Sequence, residues 1–532
     1  MASTANLRSR RSAAELRALA GVEREIRTVD GHSRRKYLRE FNRAFRTYEC
    51  ILDSNQVSEA VRAADIVLIG DYHALPAAQR QAASLLEQRA LAGDRPVVLA
   101  VETVFARDQP ILNEWWRREI DDAELRQRIR FDIDWGYDWV PFHEALVAAR
   151  DHAEGLYGLD CMPREDLRKI GARDRHAAAK IAEIRDRHPE AAIFVLFGES
   201  HLAPGHLPRA IGQLLPEAKI LTVLQNVDAL YWRAAGERAD KVDAVRVNEQ
   251  VICVFNSTPL EKYESYRLCL DQWSRCEKER DFAPTIYNLI DTLASFLEIN
   301  RYSPHNGTQP KFLIDMLPEV HGTASDASLG RLLSRRGLSQ AEIESLLARI
   351  EARGSSYVPR ANAFCIRELQ MMHAAEDVAR FLHHACQGLP QSSGQDRTDV
   401  PSSGRDTNTV DQFYVLVIEH AVAYFGSRVL YPSRPAFETQ DLNTLSRAAC
   451  TKAARAAAAA PQDELDFRAQ QWGYRIGSEI YDAYLSGKVT PRGLRRLFLV
   501  HLNHPGVARK VCGAVISKLR VLSRPLARAA HA

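Results

Sequence analysis

The sequence predicts an α/β protein: a mostly parallel sheet flanked by helices, followed by a mainly α-helical C-terminal domain. Short apolar runs alternate with helix-length amphipathic segments from Asp65 to about Asn256. Two of those runs, IVLIGDYH (Ile66 to His73) and IFVLFGESH (Ile193 to His201), end in Gly, then an acid, then a histidine three positions after the glycine. Beyond about residue 258 the pattern changes to helical periodicity alone.

In chain order, residues 1–60 read as a basic helical arm. Arg34, Arg35, Lys36, Arg39, Arg43 and Arg46 are interleaved there with Tyr37, Phe41, Phe45 and Tyr48 at spacings of three and four. Residues 61–258 form the α/β domain, with strands expected at Ile66–Ile69, Val97–Val101, Gly155–Leu159, Ile193–Phe197, Ile220–Leu224 and Val251–Phe255. Helices are expected between them at Ala77–Ala92, Asp108–Arg118, Trp139–Ala153, Arg164–Arg187 and Leu207–Leu215. Residues 259–386 and 411–521 are helical regions, and one long helix is expected over Asn362–Cys386. They are separated at 387–410 by QGLPQSSGQDRTDVPSSGRDTNT, which lacks large apolar residues and reads as a flexible linker. Residues 522–532 read as a frayed basic tail.

Composition narrows the function classes. The 71 basic and 68 acidic residues nearly cancel, leaving a net charge of +3, so charge gives no argument for a nucleic-acid partner. The nine cysteines are odd in number and nowhere form C-x-x-C, which disfavours a disulfide framework and points to a reducing compartment. No stretch reaches about 18 uninterrupted apolar residues and no signal-type segment is read at the N-terminus, so the expectation is a cytoplasmic protein without a transmembrane segment. Homo-oligomerisation is left open.

The chemistry is expected at the strand ends. Asp71 and His73 lie two apart just past an apolar run, Glu199 and His201 repeat that spacing, and VVLAVE delivers Glu102. An open parallel sheet presents ligand sites at the carboxyl ends of its strands. Two imidazoles and three carboxylates suit general acid/base catalysis by Asp71, His73, Glu102, Glu199 and His201. They equally suit a zinc or manganese site built from His73, Glu102 and His201.

Four segments in order, LIGDYHALPAAQ, VVLAVETVFARDQPILNEW, WGYDWVPFHEALVAARDH and LFGESHLAPGHLP, resemble the haem-binding uptake (ChaN-like) family. That family belongs to the superfamily that also holds the Tiki, TraB and erythromycin-esterase-like proteins. The resemblance covers roughly residues 60–230 and leaves the helical half outside it. It implies a haem or iron porphyrin held at the strand ends, with Tyr72, His73, His201 and His206 as axial-ligand candidates. Arg80 and Arg107 would face the propionates, and Trp115, Trp116, Trp135, Tyr137 and Trp139 would line a slot. Members are typically exported lipoproteins, whereas no lipobox-bearing segment is read here. A hydrolase that activates water with the two G-x-x-H motifs is the alternative.

Overall fold

The computed structural model describes residues 4–30, 36–161, 170–237, 241–275, 280–299, 317–322, 326–387, 409–437, 445–502 and 504–523. Arg34, Arg35, most of the expected 387–410 linker, nearly all of the 522–532 tail and the first turns of the expected Arg164–Arg187 helix lie outside them. The chain divides into two compact units. One comprises Val22–Arg238 with Val242–Cys276, the other Met1–Gly21, Ala239–Lys241 and Glu277–Ala532.

The first unit is built on eight strands: β1 (Cys50–Leu52), β2 (Ile66–Asp71), β3 (Val97–Phe105), β4 (Gly155–Asp160), β5 (Ala192–Gly198), β6 (Ile220–Gln225), β7 (Ala244–Asn248) and β8 (Val251–Val254). Their order in the sheet is β1-β7-β8-β6-β2-β5-β3-β4. The pairings from β8 through to β4 are parallel, and β7 pairs antiparallel with both β8 and β1. Each of the six strands expected from sequence corresponds to one of these.

Alternate residues of one strand go to opposite faces. Val67, Ile69, Leu99, Val101, Phe194 and Leu196 lie in the core on one face; Ile66, Leu68, Val98, Ala100, Ile193 and Val195 lie in the core on the other. Both faces are covered, which is why these strands read as continuous apolar runs rather than alternating ones. Each Val, Leu, Ile and Phe among them contributes roughly 1.5–3 kcal/mol by burial. Phe41 and Phe45 of the basic arm pack edge to face, with centroids 5.0 Å apart, into the second core, while Arg39, Arg43 and Arg46 stay exposed. Phe41 and Phe45 therefore pack on the body.

Chain order and sheet order diverge around β2. From β2 the chain passes outward to β3 and β4, then returns to insert β5 between β2 and β3, and β6 lands on the opposite side of β2. In the β2–β5 register Asp71 pairs with Gly198. The carboxyl ends of β2 and β5 are thereby neighbours at a switch point, where an open α/β sheet forms its crevice.

The second unit is mainly helical, with one departure from the expected all-helical pattern. β9 (Glu319–Gly322), β10 (Ser355–Val358) and β11 (Ala363–Ile366) form a three-stranded sheet in the order β10-β11-β9. Asn362–Cys386 is accordingly not one helix: β11 occupies its start, and a helix follows at Met371–Gln387. Helix Thr409–Leu430 is long and apolar enough to cross a membrane by length and composition, and 78% of its most apolar window is buried within the fold. It packs closely on helix Gln462–Leu485 through Gly473 and Gly477. A Cβ at Gly473 would come within 2.4 Å of the His420 Cβ, and one at Gly477 within 2.6 Å of the Ala421 carbonyl oxygen.

Candidate functional site

β2 stays extended through Asp71, its last residue, so the turn that follows can bring an imidazole back onto that carboxylate. Asp71 is buried; its Oδ2 accepts from His73 Nδ1 at 2.8 Å, and its Oδ1 accepts from the buried Gln79 amide. That assigns the His73 proton to Nδ1 and leaves Nε2 as the basic nitrogen. The His73 side chain keeps 22% of its surface exposed, and its Nε2 lies 3.9 Å from Glu102 Oε2. Its ring packs against Trp135 and Tyr137, with centroid distances of 4.4 and 5.3 Å.

Glu102 sits in β3, buried, and is held from two sides. Its Oε2 accepts the Gly198 N–H at 2.6 Å, and its Oε1 accepts from Arg173. The glycine at 198 keeps the site close-packed: a Cβ there would lie 3.1 Å from Glu102 Oε2, a tight contact, and 3.4 Å from both Cε1 and Nε2 of His73. Arg173, from helix Ile170–Arg187, also makes a two-pronged contact to Asp160 at the end of β4, Nε and NH2 each donating at 3.0 Å. Burial pushes the Arg173 guanidinium down, but Glu102 and Asp160 outweigh it, so its pKa is raised and the group stays charged.

His201 behaves differently from His73 although its motif is the same. The chain after Gly198 turns into the 3₁₀ segment Glu199–Leu202, which buries His201 and directs its Nδ1 to Asp174 Oδ1 at 2.5 Å. Its Nε2 faces Arg173 NH1 at 3.5 Å. His206 shares the same carboxylate, with Nδ1 3.1 Å from Asp174 Oδ2 and Nε2 3.2 Å from Glu40. Glu199 accepts from Lys262 Nζ at 3.1 and 3.3 Å. Burial pushes the Glu199 carboxyl up further than Lys262 lowers it, whereas the Lys262 ammonium is held above its ordinary range by Glu199 and Asp228 against its own burial.

The structure thus brings Asp71, His73 and Glu102 together. It places His201 behind Arg173 and pairs Glu199 with Lys262. Tyr72 lies under Lys262, whose Nζ is 4.6 Å from the ring centroid. Arg80 pairs with Glu144 at 2.8 Å on the surface. Arg107 stands over the Phe105 ring at 4.7 Å and beside Asp108. Four residues that partner this cluster escaped the sequence reading: Asp160, Arg173, Asp174 and Lys262. Asp160 carried a signal, since it ends the apolar run GLYGLD as Glu102 ends VVLAVE. The other three lie on helices and carried none.

Among the described residues, no group of three His, Cys, Asp or Glu side chains is gathered as a metal ion requires. Arg173 stands between Glu102 and His201, two of the three expected ligands, and supplies the positive charge there.

Fold and geometry together define a parallel α/β unit with an acid–imidazole site at the carboxyl edge of its sheet. Residues 57–188, a quarter of the chain, match the family model described as haem-binding uptake, Tiki superfamily, ChaN. The matched segment contains Asp71, His73, Glu102, Asp160, Arg173 and Asp174, and ends before β5. No curated protein and no solved structure matches the chain.

The family's description points to haem, and the residues present do not fit a haem held by the expected ligands. His73 Nε2 lies 3.9 Å from Glu102 Oε2, so a carboxylate stands beside the nitrogen that would ligate the iron. His201 and His206 have both ring nitrogens against side-chain partners, and Tyr72 is covered by Lys262. Arg80 is engaged with Glu144, and Arg107 with the Phe105 ring and Asp108. Trp115 and Trp139 are buried in the core, and Trp135 packs on Phe142 at 5.3 Å.

Proposed function

We propose that the α/β unit hydrolyses a small carbonyl substrate, with His73 as the general base. The observation that carries this reading is the placement of His73: Nδ1 fixed by Asp71 at 2.8 Å, Nε2 facing Glu102 at 3.9 Å, and the ring partly open to solvent. Asp71 holds the neutral tautomer and stabilises the imidazolium once it forms. A water that gives its proton to Nε2 attacks the carbonyl carbon. The same proton passes from Nε2 to the departing oxygen or nitrogen as the C–O or C–N bond breaks, so one water is consumed and His73 is restored. Glu102, fixed by Arg173 and the Gly198 N–H, adds negative charge beside the imidazolium.

Two observations favour a second reading, binding of haem: the family described for residues 57–188, and the two aromatic rings packed against His73. One experiment separates the two. A panel of chromogenic esters and anilides is assayed against the purified chain, with haem titrated in parallel. The hydrolytic reading expects turnover that falls by about 10²–10⁴ in His73→Ala and that survives chelation, with the variant melting like the parent. No turnover across the panel, together with a saturable Soret change lost in His73→Ala, sinks hydrolysis in favour of haem. Turnover lost on chelation and restored by zinc or manganese moves the chemistry to a metal.

A further inference from the structure

We propose that the mouth of this crevice binds an organic ammonium ion. Ring contacts run in an arc from the catalytic imidazole: His73 to Tyr137 at 5.3 Å, Tyr137 to Trp273 at 5.1 Å, Trp273 to Tyr266 at 6.4 Å, and Tyr266 to Tyr72 at 6.3 Å. Tyr137 and Tyr266 are half-buried and Trp273 is 39% exposed, so the middle of the arc reaches solvent, while the Tyr72 end lies under Lys262. Trp273 Nε1 donates to the Gly136 carbonyl at 2.9 Å and the Tyr266 hydroxyl donates to Asp30 at 2.8 Å. Those polar ends are occupied within the protein, so these two residues offer a ligand chiefly aromatic surface.

The charge around the arc has one sign in excess. Asp71, Glu102, Glu199 and Asp228 stand against Arg173 and Lys262, and both cations are already held in ion pairs with carboxylates. An aromatic wall in a negative field attracts an onium ion through the ring quadrupoles and by simple Coulomb attraction, and repels a carboxylate. The protein already uses one end of the arc in this way, with the Lys262 ammonium 4.6 Å over Tyr72. The inference rests on the hydrolytic reading only for where the scissile bond would lie, at His73; binding of the cation does not require turnover.

The test is a tryptophan-fluorescence titration of the purified full chain with choline, with its neutral isostere 3,3-dimethyl-1-butanol, with n-butylamine and with benzoate, all at constant ionic strength. Choline is expected to give a saturable change, and the neutral isostere to bind about tenfold more weakly, the scale of a cation–π contribution. Benzoate should give none. Butylamine binding as tightly as choline identifies a primary amine head rather than a methylated one, within the same proposal. Trp273→Ala and Tyr137→Leu, made separately so that one misfolded variant does not decide the matter, should each weaken choline binding by at least about fivefold at unchanged melting temperature. Equal affinity for choline and its isostere, tighter binding of benzoate, or no saturable choline signal overturns the proposal. Choline binding without turnover of any ester removes hydrolysis and keeps the cation site. Ester turnover indifferent to an ammonium group keeps hydrolysis and removes the cation site.

Discussion

Replacing Arg173 by Met tests whether this guanidinium holds the site together. Arg173, Glu102 and Asp160 keep only 4%, 3% and 0% of their side-chain surface exposed. The substitution leaves Glu102 with the Gly198 N–H and Asp160 with the Cys161 N–H as the hydrogen bonds given to them from the main chain. Breaking a buried ion pair by removing one partner costs roughly 3–5 kcal/mol. In a unit of this size each kcal/mol moves the midpoint by about 2–4 °C, so a fall of roughly 6–20 °C is expected at neutral pH. The deficit must also depend on pH. Without the cation, each carboxylate of the folded variant titrates above its unfolded value, so the variant recovers stability as pH falls and loses it as pH rises through the raised pKa. The deficit should therefore be larger at about pH 8 than at about pH 5, and Glu102→Gln added to Arg173→Met should recover part of it. Tryptophan fluorescence is a suitable probe, because every tryptophan except Trp472 lies in this unit. A deficit below about 1 kcal/mol, or one that is flat between those pH values, would refute the argument that Arg173 is a buried counter-ion.

Two further outcomes follow from the geometry. Gly198→Ala places a methyl 3.1 Å from Glu102 Oε2 and 3.4 Å from the His73 ring, so it should cost about 1–3 kcal/mol and abolish His73-dependent turnover or ligand binding; a variant as active as the parent would show that these side chains need not hold their positions. In the helical unit, the buried Glu376 accepts from Arg434 at 2.7 Å and Tyr474 at 2.6 Å. Against its burial, Arg434, Arg353 and Arg380 hold its carboxyl well below the usual range. A depressed folded pKa contributes stability that is complete above the unfolded value near about 4.3 and is lost as pH falls. Glu376→Gln should thus destabilise by roughly 3–5 kcal/mol at neutral pH and by less in acid, which denaturant titrations followed by far-UV circular dichroism at several pH values would detect.

The parallel core was legible because its strands are buried on both faces, so runs such as IVLIG and IFVLF carry no polar interruption to hide them. β1 and β7 were not legible. CIL is three residues long, and AVRVN carries an arginine and ends on an exposed asparagine, as suits strands at the margin of the sheet. The small sheet of the helical unit was hidden for another reason: only RELQ separates AFCI from a largely buried helix, and four buried residues cannot be told from a helix turn by periodicity.

The site shows how far a motif can be trusted. Gly-acid-x-His occurs twice with identical spacing, yet the two copies do not do the same thing, because the backbone after each glycine differs. An extended residue followed by a tight turn lets Asp71 reach His73 two positions on. In the 3₁₀ segment Glu199–Leu202, residues two apart are rotated by about 240°, so Glu199 goes to Lys262 and His201 goes to Asp174. The acid that serves the second imidazole is therefore not the acid of its own motif. The same geometry explains why a metal looked plausible from sequence. Two imidazoles and several carboxylates converge on one strand edge and demand a cation, and residue type alone cannot say whether that cation is an ion or a guanidinium delivered by a helix. Here Arg173 lies 71 residues along the chain from Glu102, on a helix with no local feature to mark it, and it meets that demand.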